Sequence, residues 1–180
     1  MSMEHVTKVI PPPEHPVETG SSAEWSKIEQ ELNLSLPSDY KSYIARYGSG
    51  CIGGLLWPLN PFAANPNINL MQQFKGTLDA LRSLRDRFGE ELPYQLYPER
   101  GGLFPWGLTD NGDSLYWLTE GGPEGWPVVV NAGREPRYER YNLPMTEFLA
   151  CLVEGTFRSE IVPSDFIDAH HLFKVAPSGS

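Results

Sequence analysis

The chain has 180 residues, 40% of them hydrophobic and 12% aromatic, with a formal net charge of −9 at pH 7. This length suits one domain that buries roughly 70% of the surface of its unfolded chain, and the composition excludes a largely disordered protein. The charge excludes a general nucleic-acid binder, which needs clustered Lys and Arg, and no apolar run approaches the roughly 18 residues of a membrane-spanning helix.

The sequence predicts a flexible, proline-rich arm at residues 1–20. Pro11-Pro12-Pro13 and Pro16 favour polyproline II, and no apolar spacing stands out. The start also lacks the apolar core and basic flank of a secretory signal, so we expect the protein to remain in the cytoplasm.

The first predicted helix of the domain ends at Asn33. Ser21 can cap it, and Glu24 stands three residues later, as in a capping box. Its buried face is expected to hold Trp25, Ile28 and Leu32.

A second short helix is predicted at Pro37–Tyr47. Proline suits the first helical turn, and Gly48 can end the helix in a left-handed conformation. One apolar stripe at helical spacing contains Tyr40, Tyr43, Ile44 and Tyr47.

The middle of the chain predicts a short strand at Ile52–Leu56, a loop at 60–69 and the longest helix at Leu70–Phe88. Asn69 can cap this helix and Gly89 can end it. Its apolar face is expected to comprise Leu70, Phe74, Leu78, Leu81, Leu84 and Phe88.

Between residues 95 and 142 the pattern changes from helical to strand-like. Asn111-Gly112 predicts a hairpin with a type I′ turn, in which both residues take positive φ. The predicted strands are Leu96-Tyr97, Leu103–Leu108, Leu115–Leu118, Val128–Val130 and Tyr138–Tyr141.

A helix at Pro144–Glu154 follows the strands, and Ser164-Asp165 could cap a weaker helix that runs to Phe173. Helices on both sides of a run of strands predict an α+β fold, with a largely antiparallel sheet of about five to six strands packed against helices. The expected domain covers residues 21–157, with a partly helical extension at 158–180.

No sequence motif indicates a catalytic or metal centre. Counted from Asp110, glycine falls at position 3 and Gly121 at position 12, which does not fit a calcium loop. The side chains of His170-His171 would point about 100° apart on a helix, so they do not suit one metal ion. We find neither a nucleophile motif nor a phosphate loop, and expect no cofactor, no metal and no enzymatic activity.

Cys51 and Cys151 lie far apart, and neither stands beside a second Cys or a His at the spacing of metal ligands. We expect two buried, reduced and unreactive thiols, with a disulfide between them as the alternative.

The negative charge is concentrated between residues 89 and 126, where seven acidic residues stand against one arginine. The seven are Glu90, Glu91, Glu99, Asp110, Asp113, Glu120 and Glu124. They fit either a set of solvated loops or a negative surface that steers a basic partner.

Most of the tryptophans are expected in the core, because large aromatic side chains fill the space between a sheet and its helices. Trp57 and Trp126, which stand near turns, are the two that we expect to rim a binding surface.

One set of motifs resembles a known family. Leu36–Gly48 has the form LP-x-DY ending in YG, and an FPWG strand at Phe104–Gly107 and a GD turn at Gly112-Asp113 follow. Further agreement comes from Trp25, Ile28, Asn60-Pro61-Phe62 and Trp126–Val130. In order and spacing the sequence resembles the SUKH superfamily, the Smi/Knr-type domain of bacterial immunity proteins and of a fungal cell-wall regulator.

The resemblance spans roughly residues 22–155 and implies an α+β domain whose usual role is to bind a toxin. Our hypothesis is a non-catalytic binding protein that neutralises a basic toxin domain, for example a nuclease, through an acidic, aromatic-rimmed surface. The candidate partner-binding residues are Glu99, Asp110, Asp113, Glu120, Glu124, Trp57 and Trp126.

Two alternatives remain open. The first is an intracellular adaptor or regulatory protein of the Smi/Knr type that binds a host protein or a peptide. The second and weaker one is a hydrolase or a small-ligand protein. The sequence predicts neither the docking face nor the oligomeric state.

Overall fold

The computed structural model describes residues 2–163 and 172–177. Within these ranges the chain forms five α-helices and one antiparallel sheet of seven strands, which confirms the predicted α+β class with a slightly larger sheet. In chain order the elements are α1 (Ser2–Val9), α2 (Ser22–Leu32), α3 (Ser38–Tyr47), β1 (Gly50–Ile52), β2 (Leu56–Pro58), α4 (Leu70–Phe88), β3 (Leu103–Thr109), β4 (Ser114–Leu118), β5 (Val128–Asn131), β6 (Tyr138–Tyr141), α5 (Met145–Glu154) and β7 (Phe173–Val175).

The first six strands of the sheet form a meander, and the seventh pairs with the first. The strand order of the sheet is β6-β5-β4-β3-β2-β1-β7, so β1 to β6 pair in sequence order and β7 returns to pair with β1. The predicted signals mark the start of α2 and both ends of α4: Ser21 and Asn69 accept cap hydrogen bonds, and Gly89 ends α4 with φ of +67°.

Helices cover both faces of the sheet. Successive strand residues point to opposite faces, so Trp117 and Tyr116 of β4 lie on different sides. Trp117 packs edge-on against Tyr40 of α3, with ring centroids 4.9 Å apart. On the other face, Tyr116 lies opposite the carboxyl-terminal half of α4.

The prediction of a flexible arm at residues 1–20 is wrong for the first part of the chain. Instead of a flexible arm, residues 2–9 form α1, which packs on α5. Val6 and Ile10 are 0% exposed, and the Tyr47 hydroxyl donates to the Ile10 carbonyl at 2.5 Å. Val6, Val9 and Ile10 stand at i, i+3 and i+4, an apolar spacing that the proline-rich composition obscured.

Two strand predictions also change. The predicted strand at Ile52–Leu56 is a tight hairpin of β1 and β2, turned by Gly53 and Gly54, which both have positive φ. Leu96 makes a single bridge to Leu103 rather than a strand.

The carboxyl-terminal region differs from its prediction as well. Phe173, expected at the end of a helix, begins β7 instead. The remainder of that predicted helix, with His170-His171, lies outside the described residues.

The tip of the β3–β4 hairpin is not a type I′ turn. Only the second residue of Asn111-Gly112 has positive φ, at +90°. Gly112 N–H donates to the Thr109 carbonyl at 3.0 Å, and Thr109 N–H to the Asp113 carbonyl at 3.0 Å. This longer loop matches a type I turn followed by a glycine in the left-handed region.

Among the described residues, none of the helices has both the length and the apolar character needed to cross a bilayer.

Candidate partner-binding surface

Two of the seven candidate residues are buried. Trp126 is 4% exposed and its indole N–H donates to the Gly121 carbonyl at 3.2 Å. Asp113 is 7% exposed and accepts hydrogen bonds from the Thr109 hydroxyl at 2.8 Å and the Gly133 N–H at 3.0 Å. Neither side chain is exposed, because their polar atoms hold turns of the fold together, and their role in binding a partner stays a prediction.

Glu124 has a structural role as well. Its carboxylate accepts hydrogen bonds from the Ser38 N–H at 3.0 Å and the Ser38 hydroxyl at 2.5 Å. These two bonds hold the pKa of Glu124 below its ordinary value. Pro37 precedes α3 without a side-chain cap bond, so Glu124 caps that helix from 86 residues further along the chain.

The remaining exposed acids do not form one patch. Glu99 lies 3.6 Å from Arg85 Nη1 and Glu120 lies 3.7 Å from Arg140 Nη2, both near the open end of the β3–β4 hairpin. Asp110 lies at the hairpin tip. The paired strands between them span about five residues, or roughly 17 Å, which exceeds the screening length of about 8 Å at physiological salt.

Trp57 lies on the surface of the sheet, partly exposed. Its half-buried indole donates to Asp110 Oδ1 at 2.9 Å. Strand register places it in line with four other half-buried side chains on one face of the sheet, a set that we call the β-row. The β-row consists of Trp57, Leu108, Ser114, Asn131 and Tyr138.

A groove of about 450 Å³, the α4 groove, lies between α4 and part of the β-row. The β-row contributes Ser114, Asn131 and Tyr138 to it, and Leu108 and Trp57 continue the row beyond it. Its other lining residues are Thr77, Ala80, Leu81, Leu84, Glu90, Gly112, Tyr116, Ala132, Gly133, Arg134, Glu135 and Pro136.

Leu84 and Phe88, at the carboxyl-terminal end of α4, are exposed large apolar residues. Leu84 is 36% exposed and lines the α4 groove, and Phe88 is 77% exposed. They stand four residues apart and so share one side of the helix. The sequence pattern assigned both to the buried face, and this part of the prediction is wrong.

The exposure of Leu84 and Phe88 could have been expected from the lengths of the helix and the strands. A helix of 19 residues is about 28 Å long, whereas strands of five to seven residues are roughly 17–23 Å long. The helix is thus longer than these strands, and the 77% exposure of Phe88 agrees with a last turn that the sheet does not cover.

The α4 groove presents the hydroxyls of Tyr116 and Tyr138 and the amide of Asn131. Burial, with Glu90 and Tyr94 nearby, raises the pKa of Tyr138 to about 12. Burial also raises the pKa of Tyr116. At neutral pH both side chains are hydrogen-bond donors, which suits recognition of a partner.

Both cysteines are buried and unbridged, as expected. Burial is the main cause that raises the pKa of Cys51 to about 12, which disfavours the reactive thiolate. Cys151 is not isolated from other metal-ligating groups in space, however. The packing of α1 on α5 brings His5 and Glu147 close to it, an arrangement that sequence spacing did not indicate.

Comparison with protein families gives a match over most of the chain. The family model SUKH_6, described as SMI1-KNR4 cell-wall, matches residues 22–149, which include α2 to β6 and the first part of α5. No curated protein and no solved structure matches the chain. The match covers more than half of the chain and agrees with the motifs around Leu36–Gly48 and Phe104–Gly107, and the chain therefore belongs to the SUKH (SMI1-KNR4) family.

Proposed function

We propose that this protein is a non-catalytic binding protein of the immunity type, which neutralises a cognate toxin by covering a basic surface on it. Membership of the SUKH family supports a binding role. The observation that carries the proposal is the pair Leu84 and Phe88, which stand exposed beside the α4 groove.

An exposed aromatic side chain next to a groove is suited to anchor a partner. Interfaces obtain most of their binding free energy from a few apolar or aromatic residues, and surrounding contacts exclude water from them. Phe88 can insert into a partner, while the α4 groove can accept a side chain in return. Glu90, Arg134 and Glu135 at the groove supply the polar rim that such an interface needs.

Charge indicates the class of partner. The net charge of −9 attracts a basic protein and speeds its association at low ionic strength. A nuclease fits this requirement, because its substrate cleft is built to hold phosphates. The acids contribute from separate places, with Glu99 and Glu120 at one end of the hairpin and Asp110 at the other.

The proposed function involves no catalytic reaction. Among the described residues, the titratable side chains that line the α4 groove are Glu90, Arg134, Glu135, Tyr116 and Tyr138, which include neither a histidine nor a cysteine. We expect inhibition to require one molecule of this protein per toxin molecule, without turnover of any substrate.

A capture experiment tests the proposal. The wild-type chain and the double variant Leu84→Ser/Phe88→Ser are immobilised and exposed to extract of the native cells. We expect the wild type to retain a basic protein whose activity it inhibits at one-to-one stoichiometry, and the variant to lose it by at least about tenfold. Arg87→Ser, an exposed neighbour of Phe88, is the matched control and should behave as the wild type.

Two results would contradict the proposal. Equal retention by the double variant would exclude the α4 groove as the docking surface. Captured protein that keeps its activity at saturating binding would exclude the immunity role.

The family description favours one second candidate. The matching model is described by the words SMI1-KNR4 cell-wall, which support an adaptor or regulatory protein that binds a host protein or a peptide. A captured partner without toxic activity, lost in the same double variant, would indicate this function. A neighbouring gene for a large secreted toxin would favour the first candidate.

A further inference from the structure

Three different metal-binding side chains converge where α1 packs on α5. His5 Nδ1 lies 2.8 Å from Glu147 Oε1, and Cys151 Sγ lies 3.9 Å from the same oxygen. One ligand atom from each residue lies within 4.8 Å of the other two. We propose that His5, Glu147 and Cys151 bind one zinc ion.

The spacing of these atoms fits a tetrahedral centre. Zinc bonds of about 2.0–2.3 Å place neighbouring ligand atoms roughly 3.3–3.7 Å apart. The observed separations of 2.8 and 3.9 Å lie on either side of that range, so small side-chain rotations suffice. Glu147 and Cys151 stand four residues apart on α5 and therefore project from the same side of the helix.

Glu154 gives an independent indication. His5 Nε2 lies 2.9 Å from Glu154 Oε2, on the side of the ring away from Glu147. Histidine ligands of zinc usually donate their second ring N–H to a carboxylate, which fixes the tautomer and the ring orientation. Here that bond leaves Nδ1 directed toward Glu147 and Cys151.

The donor set and its surroundings point to zinc rather than to magnesium or calcium. Nitrogen, sulfur and a single carboxylate are ligands of a borderline-soft ion, whereas magnesium and calcium prefer oxygen alone. Cys151 is 8% exposed, and the side chains of His5 and Glu147 are 28% and 30% exposed. Water can therefore supply the fourth ligand from the solvent side.

The ion would fasten α1 to the domain. His5 and Cys151 lie outside residues 22–149, the part of the chain that the family model matches, so the site is an addition to the family domain. It does not depend on the toxin-binding proposal, because it lies at the α1–α5 contact and shares no residue with the α4 groove.

Cobalt(II) titration of the chelator-treated full-length protein tests the inference. We expect one cobalt ion per chain, with visible absorption of a tetrahedral centre and a thiolate-to-cobalt charge-transfer band. Cys151→Ser should remove the charge-transfer band, and Glu154→Gln should weaken binding about 10- to 100-fold. Zinc should raise the unfolding temperature of the wild type but not that of Cys151→Ser.

Two matched controls separate this site from other ligands. Cys51→Ser removes the other buried thiol, and His170→Ala/His171→Ala removes the adjacent histidine pair; both variants should bind as the wild type does. Absence of a stoichiometric cobalt complex, or loss of the charge-transfer band in Cys51→Ser instead of Cys151→Ser, would overturn the inference.

Discussion

The hydroxyl of Tyr47 and the carbonyl of Ile10 form a 2.5 Å hydrogen bond, and both residues are 0% exposed. This bond joins α3, inside the family domain, to a segment that precedes it. Ser49 N–H donates to the Val17 carbonyl at 3.0 Å and extends the same connection. The first residues of the chain are therefore part of the hydrophobic core.

Ile10→Ala should lower the free energy of unfolding by about 2–5 kcal/mol, because it leaves a cavity among buried side chains. Lys8→Ala, an exposed neighbour on α1, should change it by less than about 0.5 kcal/mol. Urea denaturation followed by tryptophan fluorescence measures both. If neither substitution changes the free energy of unfolding, the first residues form a flexible arm, as the sequence predicted.

Tyr43→Phe should leave stability unchanged or raise it by up to about 1 kcal/mol. Its buried hydroxyl has no hydrogen-bond partner within residues 2–163 and 172–177, so its removal relieves a desolvation cost. Tyr40→Phe is the matched control. The Tyr40 hydroxyl donates to the Leu59 carbonyl at 2.6 Å, and its loss should cost about 1–2 kcal/mol. A similar cost for both variants would show that Tyr43 has a partner after all.

Glu124→Gln should lower stability at neutral pH by up to about 1 kcal/mol, because it removes the charge that caps α3. The folded state holds the pKa of Glu124 below its ordinary value of 4.5. A lowered carboxyl pKa stabilises the fold above the ordinary value, and this contribution is lost as pH falls through the lower folded value. The difference between wild type and variant should therefore shrink below about pH 4.5.

Thermal unfolding from pH 3 to pH 7 measures that difference, with the exposed Glu31→Gln as control. A difference that stays constant over this range would show that the cap does not depend on charge.

Asp110→Asn and Glu120→Gln should each slow association with a basic partner, and the double variant should show the product of the two effects. The two carboxylates are roughly 17 Å or more apart along the hairpin, so neither should alter the effect of the other. Stopped-flow association rates at low and physiological salt provide the measurement. A double variant much slower than the product would indicate one continuous acidic patch.

Local signals predicted the helices best. Ser21, Asn69 and Gly89 marked where α2 and α4 begin or end, and these positions hold because capping depends on hydrogen bonds within a few residues. The aromatic hairpin was found for the same reason, although its turn type was wrong. Asn111 and Gly112 are compatible with more than one turn, and the buried Asp113–Thr109 contact selects the longer loop.

Long-range contacts could not be predicted in this way. Glu124 stands among exposed loop residues in the sequence, and only its distance to Ser38 reveals a cap. Phe88 continues the apolar spacing of α4, yet it is 77% exposed. His5 and Cys151 are distant in sequence and meet only because α1 packs on α5.

Strand β7 has a consequence for how copies of this chain behave at high concentration. Residues Gly50–Ile52 would otherwise offer unpaired N–H and C=O groups at the margin of the sheet, a template on which foreign strands add. Phe173–Val175 occupies that margin, and Lys174 places an exposed positive charge on it. Strand β7 therefore disfavours aggregation in which the sheets of several copies pair edge to edge.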